Sequence, residues 1–374
     1  MIGASKAMMV HHRYNIARGY LWRRWKQSEP ENPRGPSANG KFPKNDTRKN
    51  SIKTAKAKPA IGRNRIMTNK EAKEVFKAFT DIYCGILANY PDFQHGDIKD
   101  LVYDFSCPQY QELINGYHID EIAGKGSDFA RAKRLLNYLA PRLTHESNYD
   151  NHIECNSLKL LEYSLNNPKQ GINCLNKSKI LTECCLALGI YARRVIILPY
   201  SPYDFDNHVV TEIFDRKMNK WIMLDSTTNG YFIDENKTPL SMLEIRNKFK
   251  DLAFTTYVDA SKPIGDIQKQ KEKYYQLNNY ICKNCFCFIL ESYNGFGEKG
   301  EDFTFIPNGY SLCKNRLLNT EYRLKNMPEE LKSKFANHLK QRIEKLEKEV
   351  DNPTDITVMI KAPFMLDPRK AKIF

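Results

Sequence analysis

The spacing of apolar positions changes along the chain, and the changes divide it into elements. From residue 68 the period is helical. Thr68 with Glu71 makes a capping box, and Val75, Phe76, Phe79, Tyr83, Ile86 and Leu87 follow at three- and four-residue steps. The same spacing predicts helices over about 127–140 (Phe129, Ala132, Leu135, Leu136, Leu139) and 156–165 (Leu158, Leu160, Leu161, Tyr163). A further helix opens at Gly171-Ile172-Asn173-Cys174. Along it Cys174, Ser178, Leu181, Cys185 and Leu188 share one face, and Gly189 ends it from the position after the C-cap. Three runs rich in β-branched and aromatic residues, 193–198, 208–214 and 221–224, then predict strands, with a polar turn at 215–220. Residues 278–290 read as another strand. Residues 328–350 read as a long amphipathic helix, with Pro328 at its start and Leu331, Phe335, Leu339, Ile343, Leu346 and Val350 as its stripe. A helix followed by antiparallel strands indicates an α+β fold rather than a doubly wound sheet.

Charge changes the picture only at one end. The chain has 374 residues and a net charge of +14, but residues 1–65 hold 16 Lys and Arg against 3 acidic residues. The remainder holds 42 against 41, so the basic character belongs to a tail and does not argue for nucleic-acid binding by the rest. Residues 1–26 read as a short basic helix with Tyr20, Trp22 and Trp25. Residues 27–65, with five prolines and scattered Asn, Ser and Lys, read as disordered. Met67 stands directly before the first strong helix, so residues 1–65 also read as an upstream extension. No apolar run reaches the ~18 residues of a membrane-spanning helix. Ten cysteines, two of them adjacent in a helix (Cys184, Cys185), read as reduced thiols of a cytoplasmic protein, not as a disulfide scaffold. Cys282, Cys285 and Cys287, with Cys313 or His338 as a partner, are considered as a zinc site. Without a second pair at ligand spacing they read better as a buried strand, and neither metal nor cofactor is expected.

The chemistry concentrates between 174 and 225. A thiol at a helix start is favoured as thiolate by the helix dipole and the unpaired backbone donors there, and the Cys174 N–H can serve an oxyanion. His208 and Asp225 bracket the expected hairpin about a midpoint in the 215–220 turn, which places them directly or diagonally opposite. A carboxylate there holds one imidazole nitrogen while the other faces the thiol. Gln170, Tyr149 and Asn151 are weak candidates for a second oxyanion donor. His145, His152 and Asp150 read as locally hydrogen-bonded. Residues 200–206 precede the histidine and are a candidate cleft lining.

Residues 171–227 resemble the transglutaminase-like superfamily of papain-type Cys-His-Asp enzymes. The resemblance lies in Cys174 with Ser178 and Gly189-Ile190-Tyr191-Ala192-Arg193, in His208 with Glu212, and in Trp221 followed by Asp225-Ser226-Thr227. Phrases from 118 to 250, such as Asp120-Glu121-Ile122-Ala123-Gly124 and Tyr231-Phe232-Ile233-Asp234, are similar to a bacterial branch. Val210 stands where the family often has Trp, and Ser226 where Pro is common. The resemblance implies a catalytic helix packed on an antiparallel sheet, with extra helices N- and C-terminal. With the basic extension (1–65) set apart by its charge, the chain is expected to divide into that extension, a catalytic domain (66–255, core 118–250) and a C-terminal α+β extension packed on the core (256–374). The resemblance implies acyl transfer from an amide or peptide bond through Cys174, His208 and Asp225, on a protein or peptide substrate, by peptidase or amidase chemistry in preference to crosslinking. Two other readings stand beside it: a non-catalytic binding module on the same fold, and binding of nucleic acid or an anionic surface through residues 1–65.

Overall fold

The helix expected at Cys174 runs from Cys174 to Ala187 and is buried along most of its length. Its polar side chains are as buried as its apolar ones: Asn176, Lys177, Ser178, Lys179, Thr182 and Glu183 are all enclosed. The stripe read from the sequence is therefore one side of a helix covered nearly all round. Asn173 caps its start, accepting from the Asn176 N–H at 3.2 Å. Gly189 ends it at φ +69°. The Gly189 and Ile190 N–H groups turn back to the Leu186 and Cys185 carbonyls, a Schellman closure.

The computed structural model describes residues 68–96, 101–351 and 363–374, all within the compact unit Arg65–Phe374. The basic helix and disordered linker read for residues 1–65 lie outside the described residues. In chain order the elements are α1 (Asn69–Asn89), β1 (Val102–Tyr103), α2 (Gln109–Tyr117), α3 (Ile119–Ala123), α4 (Asp128–Leu139), α5 (Ser157–Asn166) and α6 (Cys174–Ala187). Then come β2 (Ala192–Leu198), β3 (His208–Asp215), β4 (Lys220–Leu224), β5 (Gly230–Ile233), α7 (Met242–Lys250), β6 (Thr256–Asp259), α8 (Ile267–Lys273) and α9 (Tyr275–Asn284). The chain continues with β7 (Cys287–Glu291), β8 (Tyr293–Asn294), β9 (Asp302–Phe305), α10 (Leu312–Lys325), α11 (Glu329–Asp351), α12 (Pro363–Leu366) and β10 (Lys372–Ile373). The α+β class expected from the sequence is the class found.

The principal sheet is antiparallel, in the order β4-β3-β2-β7-β9, so two of its strands come from beyond residue 256. The β3–β4 register pairs Thr211 with Leu224 and Asp215 with Lys220. Continued by one step, it sets Asp225 opposite Val210, the diagonal of the two arrangements expected for His208 and Asp225. Three residues of the family phrases meet on this sheet. Arg193 and Glu212 are cross-strand partners, joined by bonds of 2.9 and 2.7 Å, and the Arg193 guanidinium lies 3.8 Å from the Trp221 ring centroid. They fasten β2, β3 and β4 together.

One element differs from expectation. Residues 278–290 are not a single strand: α9 runs to Asn284, and only Cys287–Glu291 is extended. The buried side of α9 is largely polar, which hides its period. Asn278 Oδ1 accepts from the Tyr257 N–H at 2.8 Å, and Asn279 Nδ2 donates to the Phe76 carbonyl and Thr80 Oγ1 at 3.1 and 3.0 Å. Long-range partners make those amides acceptable inside a core.

The turn after Asp225 returns at Gly230, whose carbonyl accepts from the Asp225 N–H at 2.8 Å. A Cβ at Gly230 would meet the Tyr257 ring at 2.1 Å and the Val258 carbonyl at 2.4 Å. Gly230→Ala is expected to lower stability by about 1–3 kcal/mol, read as a lower urea midpoint at unchanged slope. A midpoint equal to that of wild type would show that the turn relaxes freely.

Candidate active site

Three elements converge at the start of α6. Cys174 is its first residue, where backbone N–H groups lack intrahelical acceptors. His208 is the first residue of β3, and Asp225 follows β4 directly. Helix and hairpin are locked together one turn along. Ser178 Oγ donates to the Val209 carbonyl at 2.8 Å, Thr211 Oγ1 donates to the Ser178 carbonyl at 3.1 Å, and the Thr182 and Thr211 hydroxyls lie 3.2 Å apart. A small residue at 178 lets the backbones approach this closely.

The structure brings the three sequence-predicted residues together. His208 Nε2 lies 3.0 Å from Asp225 Oδ2. The Cys174 thiol lies near enough to the same imidazole to help raise its pKa. The second oxygen of Asp225 accepts from the Thr227 and Thr228 N–H groups at 2.8 and 3.3 Å, so the carboxylate is held on both sides. His208 and Asp225 are 2% and 1% exposed, whereas Cys174 is only partly covered. Cys174 is thus the member of the group that meets solvent.

Burial pushes the His208 pKa down, but the Asp225 charge, its hydrogen bond and the thiol outweigh burial and raise it to about 10. Burial raises Asp225, and the His208 charge with the bonds from His208, Thr228 and Thr227 lowers it to about 2. Beneath the pair, Lys177 Nζ donates to the Ala140 and Leu143 carbonyls at 3.2 and 2.8 Å. Burial lowers its pKa to about 8, against the attraction of Asp225.

Of the weaker candidates, Asn151 is the one brought to the helix start: its Oδ1 accepts from Asn173 Nδ2 at 3.0 Å, with its backbone at φ +58°. Gln170 Oε1 accepts from the Tyr163 hydroxyl at 2.6 Å, and the buried Tyr149 hydroxyl accepts from the Ile153 N–H at 3.2 Å. His152 pairs with Asp150 at 2.5 Å and His145 with Ser147 at 3.1 Å, both as local contacts. None of the ten cysteines is in a disulfide. Among the described residues no group of three or more His, Cys, Asp and Glu side chains is arranged to hold a metal. Cys282 lies on α9, its sulfur 3.8 Å from that of Cys84, Cys285 caps that helix, and Cys287 opens β7. No described helix is long and apolar enough to cross a membrane.

Sequence reasoning missed Tyr280, whose ring centroid lies 5.2 Å from that of His208, and Lys283, which holds the segment before it. Both sit in the stretch read as a strand. A helical reading of 275–284 would have put them one turn apart on one helix.

The model of the transglutaminase-like superfamily matches residues 118–226, a segment that includes Cys174, His208 and Asp225. This segment is a transglutaminase-like domain. No curated protein matches the chain significantly. Among solved structures, the chain is similar to a candidate cysteine protease from Cytophaga hutchinsonii, with a TM-score of 0.25 and 14% identity over 40% of this chain and 49% of that one. The chain thus spans about half the length of that protein. It is also similar to the Rad4/XPC nucleotide excision repair complex, whose β-hairpin motifs were studied in DNA duplex opening (TM-score 0.18, 12% identity, 59% of each chain). A third likeness is to Rad4-Rad23 bound to a 6-4 photoproduct UV lesion (TM-score 0.16, 12% identity, 59% of this chain and 57% of that one). At these TM-scores the likenesses carry no argument about activity.

The His208–Asp225 pair makes stability depend on pH. The Asp225 contribution to stability is complete above its ordinary 3.8 and is lost as pH falls through about 2. That of His208 is complete below its ordinary 6.5 and is lost as pH rises through about 10. Asp225→Asn is expected to cost about 3–5 kcal/mol, as for a broken buried pair. The difference from wild type should be largest between pH 3.8 and 6.5 and shrink on either side, as measured by urea unfolding at stepped pH. A difference that grows above pH 6.5 would contradict the pairing.

Proposed function

We propose that the protein is a cysteine-dependent acyl-transfer enzyme that cleaves amide or peptide bonds of a protein or peptide substrate through Cys174, His208 and Asp225. The observation that carries this reading is one imidazole held at Nε2 by a buried carboxylate, 3.0 Å away, while a partly covered cysteine at a helix start acts on the same ring. The Nε2–H donates to Asp225, which leaves Nδ1 for the thiol and fixes the tautomer.

In the proposed cycle the thiol proton rests on His208 and the Cys174 sulfur attacks the carbonyl carbon. The oxyanion that forms is met by the Cys174 N–H at the start of α6. Collapse breaks the carbon–nitrogen bond, and His208 gives its proton to the departing amine, leaving a thioester. Water then attacks, His208 takes one of its protons, and the acid is released with the thiol restored. An amine in place of water would complete a transfer by the same steps.

The test begins with the thiols. At pH 6 iodoacetamide is expected to label Cys174 at least about tenfold faster than the other nine, read by peptide mass spectrometry. Burial raises the thiols of Cys184 and Cys185, the latter to about 12. The competitor is Cys84, whose thiol is lowered by its bond to Cys282 but lies in the core. Against peptide libraries Cys174→Ala should abolish turnover, and Asp225→Asn should reduce it about 10²–10⁴-fold with labelling of Cys174 retained. Equal labelling of all ten thiols, unaffected by His208→Ala, would remove the enzyme reading.

A further inference from the structure

The segment that leads into His208 is held from outside the matched domain. Tyr280 on α9 places its ring at 59° to the imidazole. Its hydroxyl is shared between Asp206 Oδ1 at 3.1 Å and the Asn207 carbonyl at 3.2 Å, the two residues before His208. One turn further, Lys283 Nζ donates to Asp204 Oδ2 at 2.6 Å, the Asp206 carbonyl at 2.8 Å and Asn284 Oδ1 at 3.1 Å. Lys283 and Asp204 are almost wholly buried. The helix bearing both residues is itself fixed to α1 through Asn279.

We propose that Tyr280 is a positioning residue for His208: its ring closes one face of the imidazole, and its hydroxyl fixes the two residues from which β3 begins. The need is physical. His208 is the first residue of β3 and forms the end pair of its ladder with β2, opposite Ile197, so the ladder does not extend to the backbone before it. The bond to Asp225 orients the ring plane but does not anchor that backbone. A displacement of about 1 Å at such a group is enough to cost about 10² in rate. The inference rests on the reading of His208 as the partner of the thiol.

A pH profile distinguishes positioning from simple support. The groups that face the imidazole are Asp225 from the turn after β4, Cys174 from α6 and Tyr280 from α9. Asp206, Asp204 and Lys283 lie beyond the Tyr280 hydroxyl. Asp225 and the thiol together outweigh burial in holding the imidazolium. A ring opened to water and loosened from both partners releases its proton at lower pH.

The experiment measures the iodoacetamide rate at Cys174 against pH in the full chain, for wild type, Tyr280→Leu, Tyr280→Phe and His208→Ala, with unfolding midpoints alongside. Tyr280→Leu is expected to move the alkaline transition about one unit toward neutral, about a tenfold change in the imidazolium equilibrium. Tyr280→Phe, which keeps the ring and loses the hydroxyl, should move it less and in the same direction. If Tyr280→Leu does not fold, Tyr280→Phe decides: a shifted profile supports the inference and a superimposable one overturns it. If both Tyr280 variants fold and superimpose on wild type while His208→Ala alters the profile, the Tyr280 inference falls and the reading of the site stands. If His208→Ala also leaves the profile unchanged, both fall.

Discussion

The contact between α6 and β3 is the constraint on which the arrangement depends. A helix covered nearly all round normally carries apolar residues, since each unpaired buried polar group costs about 1–3 kcal/mol. Here Ser178, Thr182 and Thr211 join helix to strand by hydroxyl bonds to each other and to backbone carbonyls. Hydroxyls are short enough to keep helix and strand close and directional enough to fix their register. Because Cys174 lies one turn before Ser178, and His208 directly before Val209, that register also sets the thiol beside the imidazole.

The remaining sides of α6 are tied by charge. Lys179 and Glu183 pair at 3.1 Å, both almost wholly buried, and each reaches the 297 backbone: Lys179 Nζ donates to the Gly297 carbonyl at 2.5 Å, and Glu183 Oε1 accepts from the Gly297 N–H at 2.9 Å. Glu183 also accepts from the Ser157 N–H and hydroxyl at 2.7 and 2.5 Å. A buried ion pair has a desolvation cost that its own attraction offsets only when the remaining lone pairs and protons find partners. Here they find them on α5 and on the segment between β8 and β9. The charges therefore specify which elements surround the helix.

That segment belongs to the C-terminal third, which completes the sheet as well as the surroundings of the histidine. Strands β7 and β9 extend the sheet beyond β2, α9 carries Tyr280 and Lys283 to the loop before His208, and α10 holds that loop through Asn315 and Asn319 to the Tyr200 and Pro202 carbonyls. Residues 118–226 bring the thiol, imidazole and carboxylate together; residues beyond them hold the loop that delivers the imidazole.

Much of this was legible in the chain. The capping box at Thr68 and Glu71, the glycine stop at 189, the short strands and the polar turn are local signals, and local interactions carry them into the fold. The thiol, imidazole and carboxylate could be picked out because helix start and hairpin are short-range features at known spacing. What sequence alone could not decide depends on partners distant along the chain. Asn278, Asn279, Lys177, Lys179 and Glu183 look like surface residues until their acceptors and donors, up to about two hundred positions away, are in place. They masked the period of α9 and the full enclosure of α6, and so concealed Tyr280. Periodicity reports which residues avoid water; only the tertiary structure shows which polar groups have found a substitute for it.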